Sequence, residues 1–231
     1  MSRKIDIEAL LKRANTTLQK ISGEYNNSLH SKTVSADLRI DIKDYFSNLR
    51  SVLDYIAHDI VDKYCPNANP KNNLYFPIRA DLKAFTAEMI KSYPDLVTNN
   101  KTVYDILENL QPFKCDLNKW LTHFNKLNNE NKHERLVAQK RSETKRVNVN
   151  FQGGGSVNWD PSAVTFGSGV FIGGIPVNPQ TQLPNPSNTQ TVTIETWVDF
   201  QFEDINVSAL WLTKESLKQI SQIYSDLKNE I

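Results

Sequence analysis

Arg50, Asp54 and His58 recur four residues apart in the stretch NLRSVLDYIAH (48–58). In a helix, four residues advance by about 400°, so the three side chains form a slowly drifting line along one edge. That edge borders the apolar stripe carrying Leu49 and Leu53. Together these residue types can position a phosphate and move a proton. Arg50 would stabilise the charge, His58 would serve as acid or base, and Asp54 would fix the imidazole tautomer. The plainer alternative is an Arg–Asp pair within one helix beside a partly buried histidine, which helices form routinely. Lys132 and His133, in NKHERL (131–136), offer the same choice. They are either an imidazole with a phosphate contact beside it or the cationic end of a helix matched to its macrodipole.

Other chemistries find less support. His58, Asp62 and Cys65 approach one helix end, but no His or Cys pair elsewhere completes a ligand set. The glycines of GGGS and GSG lack a strand–GxxxxGK–helix context, and neither a nucleophile elbow nor a kinase set is present. No metal and no cofactor is expected. Cys65 and Cys115 have neither metal nor redox spacing, which suits a reducing cytoplasm.

These residues must be held by helices. Over 5–29, Ile7, Leu10, Leu11, Ala14, Leu18, Ile21 and Tyr25 recur at three- and four-residue steps. A second helix over 36–64 carries Ile42, Phe46, Leu49, Leu53, Ile56 and Ile60 and stops at CPNANP. LYFPI reads as an extended connector, because the residue before Pro77 is pushed out of the helical region. Asp81 caps a third helix, residues 101–110 give a fourth, and a fifth runs from Asp116 towards His133. Five helices with short connections imply a bundle.

After Lys145 the period changes to two. In TVTIETWVDFQF (191–202), Val192, Ile194, Val198, Phe200 and Phe202 share one face, and Trp197 lies on the other. VTFGSGVFIGG reads as a strand pair turned at GSG, and NPQTQLPNPSNTQ as a mobile loop. A last helix is expected near Thr213 as N-cap, with its stripe docking on the bundle. The fold class is therefore α+β: a helical bundle over 1–144, a β-rich elaboration over 145–212 and a docking helix over 213–231, within one domain.

The chain has 231 residues, 39% of them hydrophobic and 23% charged, with no apolar run long enough to span a bilayer and no signal peptide. The net charge of +1 conceals an asymmetry: residues 1–150 hold 24 of the 27 Lys+Arg and 18 of the 26 Asp+Glu. Six cations and two anions fall within 132–146. Such a run is either a solvated surface or a footprint for phosphates.

The segments NLRSVLDYIAH (48–58), FPI (76–78), LQPF (110–113) and LNNENKHERL (127–136) stand in an order and spacing that resembles a widespread family of uncharacterised bacterial proteins. That family shows an NLRSALDH helix, an FPI connector, a QPY turn and an LNNIDKHR segment. FGSGVFIGGIPV (166–177) and WVDFQFED (197–204) resemble its β-rich tail. By helical architecture the family is similar to the HEPN superfamily: small helical bundles, often dimeric, many of them metal-independent RNases of defence or toxin systems. HEPN nucleases carry an Arg and a His four to six residues apart on one helix, with a polar residue after the Arg. Ser51 matches that pattern, whereas His58 lies about one turn too far.

The resemblance implies a HEPN-like homodimer that acts on RNA. His58 or His133 would deprotonate a ribose 2′-hydroxyl, Arg50 and Lys132 would stabilise the phosphate, and Arg135, Lys140, Arg141, Lys145 and Arg146 would hold the backbone. The alternative keeps Arg50, Asp54 and His58 as a structural network. Function would then lie in the β-rich tail, with Trp197 anchoring a protein partner. No membrane is expected to take part.

Overall fold

A computed structural model describes residues 3–31, 34–133 and 136–231; the side chains of 29–31 and 130–133 are outside the described set. Helix α1 spans Lys4–Ser31 and α2 spans Ala36–Tyr64. In α1 Ile7, Ala14, Ile21 and Ser28 are buried at every seventh position, so one narrow seam faces inward. Ser35 starts α2 by accepting from the Leu38 N–H at 3.1 Å, and Pro66 follows the final turn. Further along come α3 (Leu82–Ser92), the short α4 (Leu96–Asn99), α5 (Lys101–Asn109), a single 3₁₀ turn at Asp116–Asn118, and α6 (Lys119–His133). The side chains of Asp81 and Asn100 cap α3 and α5 by accepting from the Ala84 and Val103 N–H groups.

The chain then enters β1 (Gln139–Phe151), β2 (Ser156–Trp159), β3 (Phe171–Ile172), β4 (Ile175–Asn178), β5 (Leu183–Pro184), β6 (Gln190–Phe202) and β7 (Val207–Ser208), and ends in α7 (Ala209–Leu227). Seven α-helices and antiparallel sheets among the described residues make the chain α+β. It divides into two compact units: Met1–Lys140 with Phe200–Ile231, and Arg141–Asp199. The long strands β1 and β6 carry the chain from one to the other.

The helical unit is built around α2, whose Tyr45, Phe46, Leu49, Leu53, Ile56 and Ile60 are fully buried. Each such side chain contributes roughly 1.5–3 kcal/mol of burial. Phe46 packs edge-on against Phe124 of α6 and Phe202 of β6. Arg50 reaches Asn125, and Arg39 donates to the Leu136 carbonyl at 2.6 Å. As α2 advances from 39 to 50 its partners retreat from 136 to 125, so α2 and α6 are antiparallel. No helix among the described residues is long and apolar enough to cross a membrane.

Three local expectations are corrected. The last helix begins at Ala209, capped by Ser208, four residues before Thr213. Thr213 is fully buried and acts inside the helix: its hydroxyl donates to the Ala209 carbonyl at 2.6 Å, and its own carbonyl accepts from the Tyr45 hydroxyl at 2.8 Å. The β3–β4 hairpin turns at Gly173–Gly174 instead of GSG, pairing Phe171 with Pro176 and Ile172 with Ile175. Both glycines have positive φ, 58° and 80°, as a two-residue turn of the favoured hand requires. Within NPQTQLPNPSNTQ the pair Leu183–Pro184 forms β5 against Val177–Asn178.

The strand unit has its own small core of Val147, Val149, Trp159, Ile172 and Val177, with Trp159 edge-on to Phe166 at 5.1 Å. Its sheet places β1 between β2 and β6. In β6 the alternation of burial holds at Phe200 and Phe202, but residues 193–197 are exposed on both faces, with Ile194 at 52%.

Candidate functional site

The hydrogen bonds around Arg50 join its own stretch of α2 to the FPI connector and to α6 at Asn125, and Gln111 of LQPF braces the connector. The Arg50 Nε–H donates to Asp54 at 3.2 Å, and Nη1 donates to Asn125 Oδ1 on α6 at 3.1 Å. Asp54 Oδ1 also accepts from the Phe76 N–H at 3.0 Å, which fastens the FPI connector across α2. Gln111, from LQPF and fully buried, fixes the other end of that connector. Its amide nitrogen donates to the Pro77 and Leu107 carbonyls at 2.9 and 2.8 Å, while its oxygen accepts from the Arg79 N–H at 2.9 Å. The Tyr93 hydroxyl donates to the Tyr75 carbonyl at 2.8 Å, and burial holds its phenol well above the usual range.

These bonds frame an open cavity of about 300 Å³. Arg50 forms its floor from α2, Tyr75, Phe76, Ile78 and Arg79 come from the connector, and Asn125, Asn128 and Asn129 come from α6. The Arg50 guanidinium sits 5.7 Å from the Tyr75 ring centre, and Tyr75 is half exposed. Arg79 is paired with Glu88 at 2.7 Å, and Glu88 in turn accepts from the Ser92 hydroxyl. Asn128 is 2% exposed. Its nitrogen donates to the Phe124 carbonyl at 2.9 Å, and its Oδ1 is buried with no partner among the described residues. Leaving such an acceptor unpaired costs about 1–3 kcal/mol of folding stability.

His58 belongs to a different chamber. With Asp62, Cys65, Asn69, Asn72 and Ser92 it lines a second cavity of about 340 Å³. Leu74 faces this chamber, while Tyr75 and Phe76 face the first, and the connector crosses α2 at Asp54 between them. Asp54 is thus committed to Arg50 and a backbone N–H, and no hydrogen bond joins it to His58 among the described residues. Burial pushes the Cys65 thiol up, away from a reactive thiolate. No group of His, Cys, Asp and Glu among the described residues is arranged to hold a metal ion. Beside this chamber, Arg3 bridges Asp59 at 2.7 Å and Asp62 at 2.9 Å, and its N–H donates to Asp59 at the start of α1.

The structure therefore brings Arg50 and Asp54 together and separates His58 from them. His133 closes α6, and its side chain and that of Lys132 lie outside the described residues, as does Arg135 entirely. The antiparallel packing nonetheless fixes where the backbone of His133 runs. It is eight residues beyond Asn125, about 12 Å along the helix and towards the start of α2. His58 lies the same distance from Arg50 in the opposite direction.

The basic run is dispersed. Lys140 belongs to the helical unit and donates to Asn206 at 2.5 Å. Arg141, Lys145 and Arg146 belong to the strand unit. There Arg141 pairs with Glu143, Lys145 lines a shallow pocket with Asp160 and Ser162, and Arg146 lies 5.6 Å from the ring of Trp197. None of these cations lines the Arg50 cavity.

Sequence reasoning missed the α6 asparagines, Tyr75, Arg79 and Gln111. Asn128 left a readable signal, because it falls on the buried stripe seven residues after Leu121 and four after Phe124, where a polar side chain needs a reason. No family model, curated protein or solved structure matches this chain.

Proposed function

We propose that the chain is a HEPN-like RNA-binding protein that holds single-stranded RNA at the Arg50 cavity without cutting it. The observation that carries this reading is the meeting of three of those segments, the Arg50 stretch, the FPI connector and the Asn128–Asn129 stretch of α6, on one polar cavity with an aromatic wall, from which His58 is excluded. General acid–base cleavage needs a proton acceptor within about 3 Å of the 2′-hydroxyl. The arginines, amides and Tyr75 of the cavity serve recognition better than proton transfer. The unpaired thiols Cys65 and Cys115 support a cytoplasmic setting, and kinship with HEPN bundles supports a homodimer, which sedimentation at micromolar concentration tests.

The decisive measurement is anisotropy of a labelled single-stranded RNA in chelator, with the same samples run on a gel. Wild-type protein is expected to bind and leave the RNA intact. Arg50→Lys keeps a charge beside Asp54 but loses the planar fork, and is expected to weaken binding about tenfold. Absence of binding by folded protein would sink the proposal. Cleavage in chelator that His58→Ala abolishes would replace it with the nuclease reading, for which Arg50 followed by a polar Ser51 is the supporting pattern.

A further inference from the structure

We infer that the Arg50 cavity takes a nucleobase and not a bare phosphate. This rests on the RNA-binding reading and names the part of the strand that enters. Charge in the wall disfavours a phosphate. Each guanidinium in the wall is already neutralised, Arg50 by Asp54 at 3.1 Å and Arg79 by Glu88 at 2.7 Å. A phosphate entering here would meet no uncompensated cation from that wall and would approach the Asp54 carboxylate.

The hydrogen-bonding groups of the wall are of both types. Arg50 uses Nε and Nη1, and its Nη2 has no partner among the described residues. It therefore offers donors. Asn128 offers the opposite. With its nitrogen held by the Phe124 carbonyl, a flipped amide would set oxygen against oxygen, so its free function is an acceptor. A phosphate carries acceptors alone and can answer only the first. The edge of any RNA base carries donor and acceptor side by side and can answer both.

The shape of the cavity suits a flat ring. Tyr75 has the Arg50 cation near its ring and half its surface open, and the cavity, at about 300 Å³, is at the small end of ligand sites. A flat ring stacked on Tyr75 with its polar edge towards α6 fits such a space, and stacking of this kind tolerates any base.

The test compares full-length protein binding a short mixed-sequence RNA with an abasic strand of the same length and the same phosphate count. The base-bearing strand is expected to bind at least tenfold more tightly. Tyr75→Ala, with its fold checked by circular dichroism, should remove most of that difference. Asn129→Ala, at the cavity mouth, should reduce the preference in the same direction. Equal binding of the two strands, unaffected by Tyr75→Ala, overturns the inference and leaves RNA binding standing. Failure of both strands to bind overturns the RNA reading and the inference with it.

Discussion

Two chambers open along one edge of α2, and they differ in what their polar groups are doing. At Arg50 the guanidinium and Asp54 are tied to each other, to α6 and to the connector, and Arg50 Nη2 and Asn128 Oδ1 have no partner among the described residues. At His58, two turns on, the imidazole has no recorded partner among the described residues, and the thiol beside it is buried and inert. Residues of the same helix edge thus acquire different prospects, because an extended connector crosses at Asp54 and partitions them. Helical spacing decides which side chains share an edge; a crossing segment decides which of them share a site.

The partition can be broken or sharpened by substitution. The largest effect is expected from Asp54→Ala, which strands the Arg50 guanidinium and frees the Phe76 N–H. With the Asp54 side chain 18% exposed, a loss of about 3 kcal/mol in urea unfolding is expected, together with loss of RNA binding. Gln111→Leu comes next. It keeps the bulk but leaves the Pro77 and Leu107 carbonyls and the Arg79 N–H unanswered, for about 2 kcal/mol and a loosened connector visible in amide exchange. His58→Ala should change stability by less than about 1 kcal/mol and leave RNA affinity as it was. A matching drop in affinity would show that the chambers communicate.

The smallest effect belongs to neither chamber. Burial, and then Lys126 nearby, lower the pKa of His123 below the ordinary imidazole value. The unfolded chain therefore binds the proton first. Stability from this group is complete above the unfolded value near 6.5 and falls as the pH drops from there through the folded value. Since His123 is only half-buried the slope should be shallow, and His123→Gln should flatten it in melts between neutral and acidic pH.

Much of the helical unit was legible because apolar period and capping residues act locally. The second helix occupies 36–64 as read, and the Arg50–Asp54 pair follows from its i+4 spacing. The site was less legible, because it depends on the direction in which helices pack. Nothing in NKHERL says whether α6 runs with or against α2. Antiparallel packing places Asn125 opposite Arg50 and carries His133 towards the start of α2. In β6, period two predicted a strand with two faces but not its burial. Burial requires a covering layer, and over 193–197 none is present among the described residues. The GSG and IGGI stretches both look like turns, and the choice fell to the one whose adjacent glycines could both take positive φ.

Tyr45 bonds to Thr213 across 168 positions, and Tyr64 bonds to Glu230 across 166. The helical unit is thus closed by a segment made after the whole of the strand unit has emerged, and these contacts can form only late in synthesis. A search over so long a loop is slow when the intervening chain is loose, since closure entropy grows with the length to be spanned. Pairing of β1 with β6 shortens that search by drawing the chain back on itself. The order of synthesis thus makes the strand unit a step on the way to closing the bundle.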